Sequence, residues 1–538
     1  MKSIIFTLLT IFALPAISQN QSPTLVWNKT YGGSQAELVG VFVTTSLFFG
    51  RWAAVDSDEN DQIYIGTTSS SSDFDVSANF GDEDVWVISL NHLGDTLWTK
   101  VLGGNSSERV LKVRAKAGGG CYVVGHSRSD NGSFTDNSTA NGYADGFVAS
   151  FNANGSMNWL RMYGGSSDDF LHDIIETSDG NLVACGESIS NDGDLAGAGA
   201  GFNWIIKINS ENGDIVWSKT YPGPDAPSND RLENVFRLAE LSDNNIILTG
   251  YTTPDFNDFN LDRVHIMKLN QDGGLIWTKK IGAVGGGDYP CAILAAENGS
   301  FWVLARLVAN LGGSGDAANY YGGGGDFWLV KLNSDGDITF EKNYGGSNLD
   351  IPYDMLYAAD GSLYLAGMSR SNDLDVDLEG FGLVDYWMLK VNPEDGSKLY
   401  TMRFGGSSND FCSGIALTQD GNSIFMVGGT DSDDGIIGNF KGVRDLWVLR
   451  LMYDGNLTIE NNAIPYLVIY PNPTREFIYL SSPNQDLFDI ELLDINGRRI
   501  FHKFQTDHMD VSTISRGIYL LQVLSNSGAK EIRKIVLD

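Results

Sequence analysis

One short phrase, Tyr-Gly-Gly or a close variant, recurs along this chain and constrains its fold more than any other feature. It stands at Tyr31-Gly32-Gly33, Leu102-Gly103-Gly104, Tyr163-Gly164-Gly165, Tyr221-Pro222-Gly223, Ile281-Gly282-Ala283, Tyr344-Gly345-Gly346 and Phe404-Gly405-Gly406. Successive starts lie 58 to 71 residues apart. A repeating period means that one supersecondary unit has been copied and stacked. The copy beginning at Phe404 shows the unit: Cys412–Thr418, Ser423–Thr430 and Asp445–Leu451 are short, apolar and β-prone, with Asp-Gly turns and an acidic loop Asp431–Asp434 between them. Such runs are strands joined by hairpins. A third-strand signature follows in all seven copies, at Asp84-Val-Trp86, Asp145-Gly-Phe147, Asn203-Trp204, Asp262-Arg-Val264, Asp326-Phe-Trp328, Asp385-Tyr-Trp387 and Asp445-Leu-Trp447.

Fourth strands carry Trp98, Trp159, Trp217, Trp277, Phe340 and Tyr400, while Trp27 stands alone before the first unit. An orphan outer strand at the N-terminus is what a closed ring needs, with Leu457–Ile459 as the rival for that place. The expected fold is all-β: a seven-bladed β-propeller over residues 19–460, then a small antiparallel β-sandwich over 461–538. A linear β-solenoid is the alternative, and predicts no orphan strand.

Gly94, Gly155, Gly213 and Gly273 each precede a Trp by four positions (Trp98, Trp159, Trp217, Trp277). This resembles the tryptophan-docking repeat of quinoprotein-type propellers, in which the Trp packs between blades. The array also resembles the bacterial propeller repeats of the delta-60 or SBBP kind, whose motifs specify fold and not activity.

Both ends of the chain point outward. Lys2, the apolar run Ile4–Leu14 and the small residues around Ser18 read as a signal peptide over residues 1–18. No later stretch is long and apolar enough to span a bilayer as a helix. Past Asn462 the period stops, and Tyr470-Pro471-Asn472-Pro473, the Asn496-Gly497-Arg498 turn, Gly517-Ile518-Tyr519 and the basic Lys530–Lys534 follow in order. This block resembles the type A C-terminal sorting domain of type IX secretion cargo. The resemblance implies outer-membrane passage by the type IX secretion machinery, removal of the domain by a cell-surface sortase, and anchoring or release.

Lys and Arg number 36 against 68 Asp and Glu, a net charge of −32, which repels nucleic acid and anionic lipid surfaces. Cys121, Cys185, Cys291 and Cys412 have strand-like neighbours and no ligand spacing, so they are expected as core thiols. Catalytic motifs of the HExxH, GxSxG and Walker kinds are missing. Four residues after the second glycine comes an acid, Glu37, Glu108, Asp169, Asp350 or Asp410, with Asp230 and Asp288 near the irregular copies. A residue repeated in every copy serves the copy, so these acids are expected to accept backbone N–H groups in their own turns.

Asp373, Asp375 and Asp377 have the alternate spacing of a calcium loop, but Leu378 and Val384 break the EF-hand pattern, leaving Asx-turns as the competing reading. Departures from symmetry are where a ligand would sit. Arg51 with Trp52, and Tyr320 with Tyr321, are the candidates for gripping a glycan or peptide. The expectation is an exported monomeric binding or adhesion module for glycan or protein, with calcium as the one conceivable cofactor. The alternative is an extracellular glycan- or peptide-degrading enzyme with its site on the acidic loop face.

Overall fold

Valine, isoleucine and aromatic residues packed into seven-residue runs leave little choice but strands, and strands dominate the chain. The structure is a computed structural model. It describes residues 22–37, 53–135, 143–199, 202–222, 233–252, 263–283, 287–308, 316–317, 320–358, 360–452, 468–470, 473–481, 488–493, 499–524 and 530–537. Two compact units are present, Met1–Tyr453 and Asp454–Asp538.

The first unit is a propeller-like array of four-stranded antiparallel sheets, seven among the described residues. The second sheet is typical, running Glu108–Ala115, Cys121–Ser127, Asp145–Phe151 and Met157–Tyr163 from first strand to fourth. The seventh is assembled from both ends of the repeat: Thr24–Tyr31 pairs with Asp445–Met452, with Trp27 opposite Arg450 and Tyr31 opposite Leu446. The orphan strand thus has its place, while its rival Leu457–Ile459 lies outside the described residues. First strands touch first strands in order through the unit, and Asp410–Leu417 of the seventh sheet touches Ala53–Ser57 of the first. The sequence of contacts therefore closes on itself.

Neighbouring sheets are locked by the aromatic fourth strand. Trp27, Trp98, Trp159 and Trp217 each donate an indole N–H to a carbonyl in the next sheet, at His92, Ala153, Ser210 and Gln271 (2.7–3.3 Å). Under the first three of these indoles lies a hairpin glycine at positive φ, Gly94, Gly155 and Gly213. A Cβ on Gly94 would sit 2.8 Å from the Trp27 ring, and one on Gly155 2.6 Å from Trp98. The tyrosine of Tyr-Gly-Gly reinforces the dock: Tyr31, Tyr163, Tyr221 and Tyr344 donate to the carbonyls of Gly94, Gly213, Gly273 and Gly396. The tryptophan of one sheet thus docks on the hairpin glycine of the next, so the Trp lies between sheets as the tryptophan-docking resemblance implies.

Third strands are buried along nearly their whole length, and their indoles still find partners. Trp86, Trp204 and Trp387 donate to Thr99, Ser218 and Thr401 of the fourth strand. Two copies of the third-strand signature correct by one residue. Trp204 faces Thr220 as Trp86 faces Val101, which puts Phe202 and not Asn203 at the aspartate position. In the fourth sheet His265, not Val264, takes the tryptophan place and bonds Thr278. Cys121, Cys185, Cys291 and Cys412 are free and buried.

The second unit holds two antiparallel sheets among its described residues. Val468–Tyr470, Phe477–Ser481 and His508–Asp510 form one. The other is ordered Arg499–Thr506, Phe488–Leu493, Gly517–Leu524 and Lys530–Leu537. Both contribute to a single core that includes Ile478, Met509, Ile490, Leu521 and Ile535.

Candidate functional site

The carboxylates of the first unit fall into two classes, those repeated at each turn between sheets and those that occur once. At the turn into the first sheet, four consecutive backbone N–H groups need acceptors. Asp75 takes that of Gly32 (3.0 Å), Glu37 that of Gly33 (3.2 Å), Asp73 that of Ser34 (2.7 Å) and Ser71 that of Gln35 (3.1 Å). The turn into the sixth sheet repeats this with Asp375, Asp350, Asp373 and Ser371. Glu37, Glu108, Asp169, Asp288, Asp350 and Asp410 are fully buried, and each accepts an N–H from its own turn. The structural expectation for these acids holds. In the fourth sheet Glu233, opposite Thr252, has the register of Asp169 opposite Ser188; Asp230 lies outside the described residues.

A second buried acid explains the first glycine of the phrase. A Cβ on Gly103 would meet Asp84 Oδ1 at 2.0 Å, one on Gly164 would meet Asp145 at 2.3 Å, and one on Gly405 would meet Asp385 at 2.0 Å. Only a glycine leaves room for that oxygen against its α-carbon. Where Phe202 replaces the aspartate, the phrase reads Tyr221-Pro222-Gly223. Five turns therefore hold a buried carboxyl pair: Asp445 with Glu37, Asp84 with Glu108, Asp145 with Asp169, Asp326 with Asp350, and Asp385 with Asp410. Burial pushes Glu37 and Glu108 up to about 7, Asp326 to about 8, and Asp410 and Asp445 to about 6. The N–H and hydroxyl donors pull the other way and lose to desolvation.

A cavity of about 250 Å³ lies among the first strands of the unit. Its charges staple those strands together. Asp56, Asp173 and Asp354 accept N–H groups from Ala115, Leu238 and Ile415 of the following sheets. Arg114 and Arg237 donate forward to the carbonyls of Ile174 and Cys291. Arg114 also lies 3.7 Å from both Asp56 and Asp173.

Charges without a counterpart at the other described turns, Glu83 and Arg109, gather elsewhere. Glu83, Ser107, Arg109, His126 and Arg128 line an open pocket of about 400 Å³. Arg109 stands directly opposite His126 on adjacent strands. Its guanidinium reaches Glu83 at 3.4 Å, and that of Arg128 reaches Asp168 at 3.2 Å. Burial, then His172, Arg109 and Arg128, drives His126 down to about 3, so it is neutral. Its ring packs edge-on to Phe170, and its Nδ1 is buried without a hydrogen-bond partner. Register supplies the comparison: the positions of Glu83, Arg109 and Arg128 hold Ala144, Phe170 and Ile189 at the next turn, and Val384, Phe411 and Asp431 at the turn into the seventh sheet. At the turn into the sixth they hold Gly325, Ile351 and Arg370.

One loop position is odd in another way. In the acidic loops the residue after the turn-capping Asp or Asn adopts positive φ, and it is Gly132, Gly193 or Gly435 in three sheets. In the first and sixth sheets it is Phe74 (φ 51°) and Leu374 (φ 55°), whose side chains are 72% and 58% exposed. Phe80, Phe381, Leu383, Ile436 and Val443 are exposed on the same loops of the first, sixth and seventh sheets.

The sequence-derived candidates scatter. Arg51 and Trp52 lie outside the described residues, as do Pro471 and Asn472. Tyr320 turns inward against the core, and its hydroxyl accepts the Gly324 N–H; Tyr321 is partly exposed. Asp373 and Asp375 cap the turn, and Asp377 pairs with Lys398 at 3.1 Å. Among the described residues no three His, Cys, Asp or Glu side chains are grouped to hold a metal. In the second unit Tyr470 is exposed and stacks on Tyr479, while Tyr519 is buried and donates to the Ser515 carbonyl. Pro473 is exposed, and Gly517 opens the strand that carries Tyr519.

A family model described as "Secretion system C-terminal sorting domain" matches residues 468–538. This tail marks a cargo of type IX secretion, with export to the surface or extracellular space and engagement of the secretion machinery. No curated protein matches the chain. Among solved structures, BamB from Moraxella catarrhalis is 12% identical, with 80% of this chain and 100% of that one covered, at a TM-score of 0.36. The phage phi92 endosialidase is 11% identical, with 90% and 86% covered, at 0.37. A europium-containing methanol dehydrogenase is 11% identical, with 80% and 93% covered, at 0.39.

Proposed function

We propose that the chain is a cell-surface or secreted binding module, a seven-bladed β-propeller that grips an extracellular glycan or protein through its acidic-loop face. In this reading residues 1–18 are a cleaved signal peptide and 19–460 the propeller. Residues 461–538 are a sandwich-like sorting domain, removed by a sortase after export. The mature protein acts as a monomer. Among the described residues no helix is long and apolar enough to cross a membrane, and the net charge of −32 turns away nucleic acid.

The observation that carries the reading is the pair Phe74 and Leu374. A residue with a side chain at positive φ costs roughly 1–2 kcal/mol that glycine does not. Gly132, Gly193 and Gly435 fill the same position at no such cost. Large apolar side chains held in solvent at a strained position serve no turn, and they sit among further exposed apolar residues on three neighbouring sheets. Binding gains over degradation because the acidic-loop carboxylates are committed to backbone N–H groups rather than free to act in pairs on a substrate.

The test is retention of the wild type and a Phe74→Gly/Leu374→Gly variant on arrayed glycans and extracellular proteins of the producing community. The variant should lose a wild-type partner by at least tenfold while melting no lower. Equal retention would remove the face from the account.

A further inference from the structure

We propose that the pocket of Glu83, Ser107, Arg109, His126 and Arg128 takes one neutral hexose residue of a glycan, through vicinal hydroxyls. The inference rests on the binding-module reading and assigns it a ligand class.

Charge balance decides the class. Arg109 and Arg128 are matched by Glu83 and Asp168 at 3.4 and 3.2 Å, and His126 is neutral, so the pocket carries no net charge. The chain around it carries −32. An anion would be repelled at long range and would bring an unmatched charge, and a cation would meet two guanidinium groups first. A polyol needs neither. It needs donors and acceptors side by side, and these line the walls: guanidinium N–H groups, the Glu83 carboxylate, the Ser107 hydroxyl and a neutral imidazole. A guanidinium has five N–H donors, and Glu83 engages one nitrogen of Arg109, so its planar fork can meet two adjacent hydroxyls. A cavity of about 400 Å³ is within the range of about 300–1,000 Å³ typical of small-molecule sites. It exceeds what an inorganic ion would fill.

The scaffold does not need these residues. The corresponding positions elsewhere hold Ala144, Phe170 and Ile189, or Val384, Phe411 and Asp431, or Gly325, Ile351 and Arg370, so only the Arg128 position carries an arginine again. In the seventh sheet a superficially similar arginine is closed off, because Arg444 holds Asp431 through two nitrogens and covers the Phe411 ring. Glu83 engages Arg109 through one nitrogen only.

The experiment is ligand-observed NMR titration of the full chain with glucose, galactose and mannose, with glucuronate as the charged control. At least one hexose should bind, with glucuronate at least tenfold weaker. Arg109→Ala/Arg128→Ala should lose that hexose by at least tenfold, and His126→Phe by severalfold, both with an unchanged melting temperature. No hexose bound, glucuronate bound as tightly, or a double variant that binds like wild type would overturn the assignment. If no hexose binds but retention on an arrayed partner still depends on Phe74 and Leu374, this inference fails and the binding-module reading stands. Loss of both would sink the reading itself.

Discussion

Glu108 and Arg109 are neighbours in the chain and belong to different kinds of structure. Glu108 is fully buried, accepts the Gly104 N–H at 3.0 Å and the hydroxyls of Ser127 and Ser129, and has a counterpart at the other described turns. Arg109 is part-exposed, faces a pocket, and stands where other turns place Phe170, Ile351 or Phe411. The difference teaches that in a repeat array charge has to be sorted by recurrence before it is read as chemistry. Recurring carboxylates answer the turn's own demand for acceptors. Charges that occur once answer no demand of the fold, and they are what a partner can select.

The comparison breaks most readily at the glycines. Gly103→Val drives a side chain into Asp84 and should cost upward of about 3 kcal/mol in urea unfolding. Adding Asp84→Ala should recover a large part of it, because the oxygen that excludes the β-carbon is gone. A second substitution that gives no recovery would mean the glycine answers to something other than the buried acid. Next in size, Trp98→Ala removes a half-buried ring from the Gly155 hairpin and its bond to Ala153, for about 2–3 kcal/mol.

The paired acids predict an unusual pH response. The folded-state pKa values of Glu37, Glu108, Asp326, Asp410 and Asp445 lie at about 6 to 8, above the ordinary value near 4. The folded state therefore binds more protons than the unfolded state in that window. The contribution to stability is complete below about pH 4 and is lost as pH rises through 6 to 8. The melting temperature should be higher at pH 5 than at pH 8.5, and Glu108→Gln should flatten the slope. A melting temperature that climbs with pH would show these carboxyls to be ionised and well solvated. Smaller still, Phe74→Gly should stabilise by about 0.5–1 kcal/mol through relief of its positive φ. Calcium should move the melting temperature least, by less than a degree, since Asp373 and Asp375 already cap a turn. A rise of several degrees with calcium would return Asp373, Asp375 and Asp377 to the role of ligands.

Much of this was legible in the residues. The period, the strand runs, the docking tryptophans and the acid four places after Gly-Gly all follow from patterns that local physics enforces in each copy. Phe202 and His265 were misread because a repeat is aligned by its sameness. An Asn or Asp one place out of frame attracts the alignment, and only strand register corrects it. The pocket was missed for the same reason. Arg109 and Arg128 lie 19 residues apart in sequence, and what joins them is the hairpin that sets Arg109 opposite His126. One signal was available: a position after a constant acid that reads Arg in one copy and Phe, Ile and Phe in others. The strained apolar tips Phe74 and Leu374 needed backbone angles that no pattern of letters reports.

The sharpest test is to measure the unfolding free energies of Glu108→Ala and Arg109→Ala side by side in urea. Glu108→Ala strips acceptors from a buried N–H and two hydroxyls and should lose about 2 kcal/mol or more, whereas Arg109→Ala should stay within about 0.5 kcal/mol of wild type. Equal losses, or the larger loss at Arg109, would contradict the division between charge that builds the array and charge that the array displays.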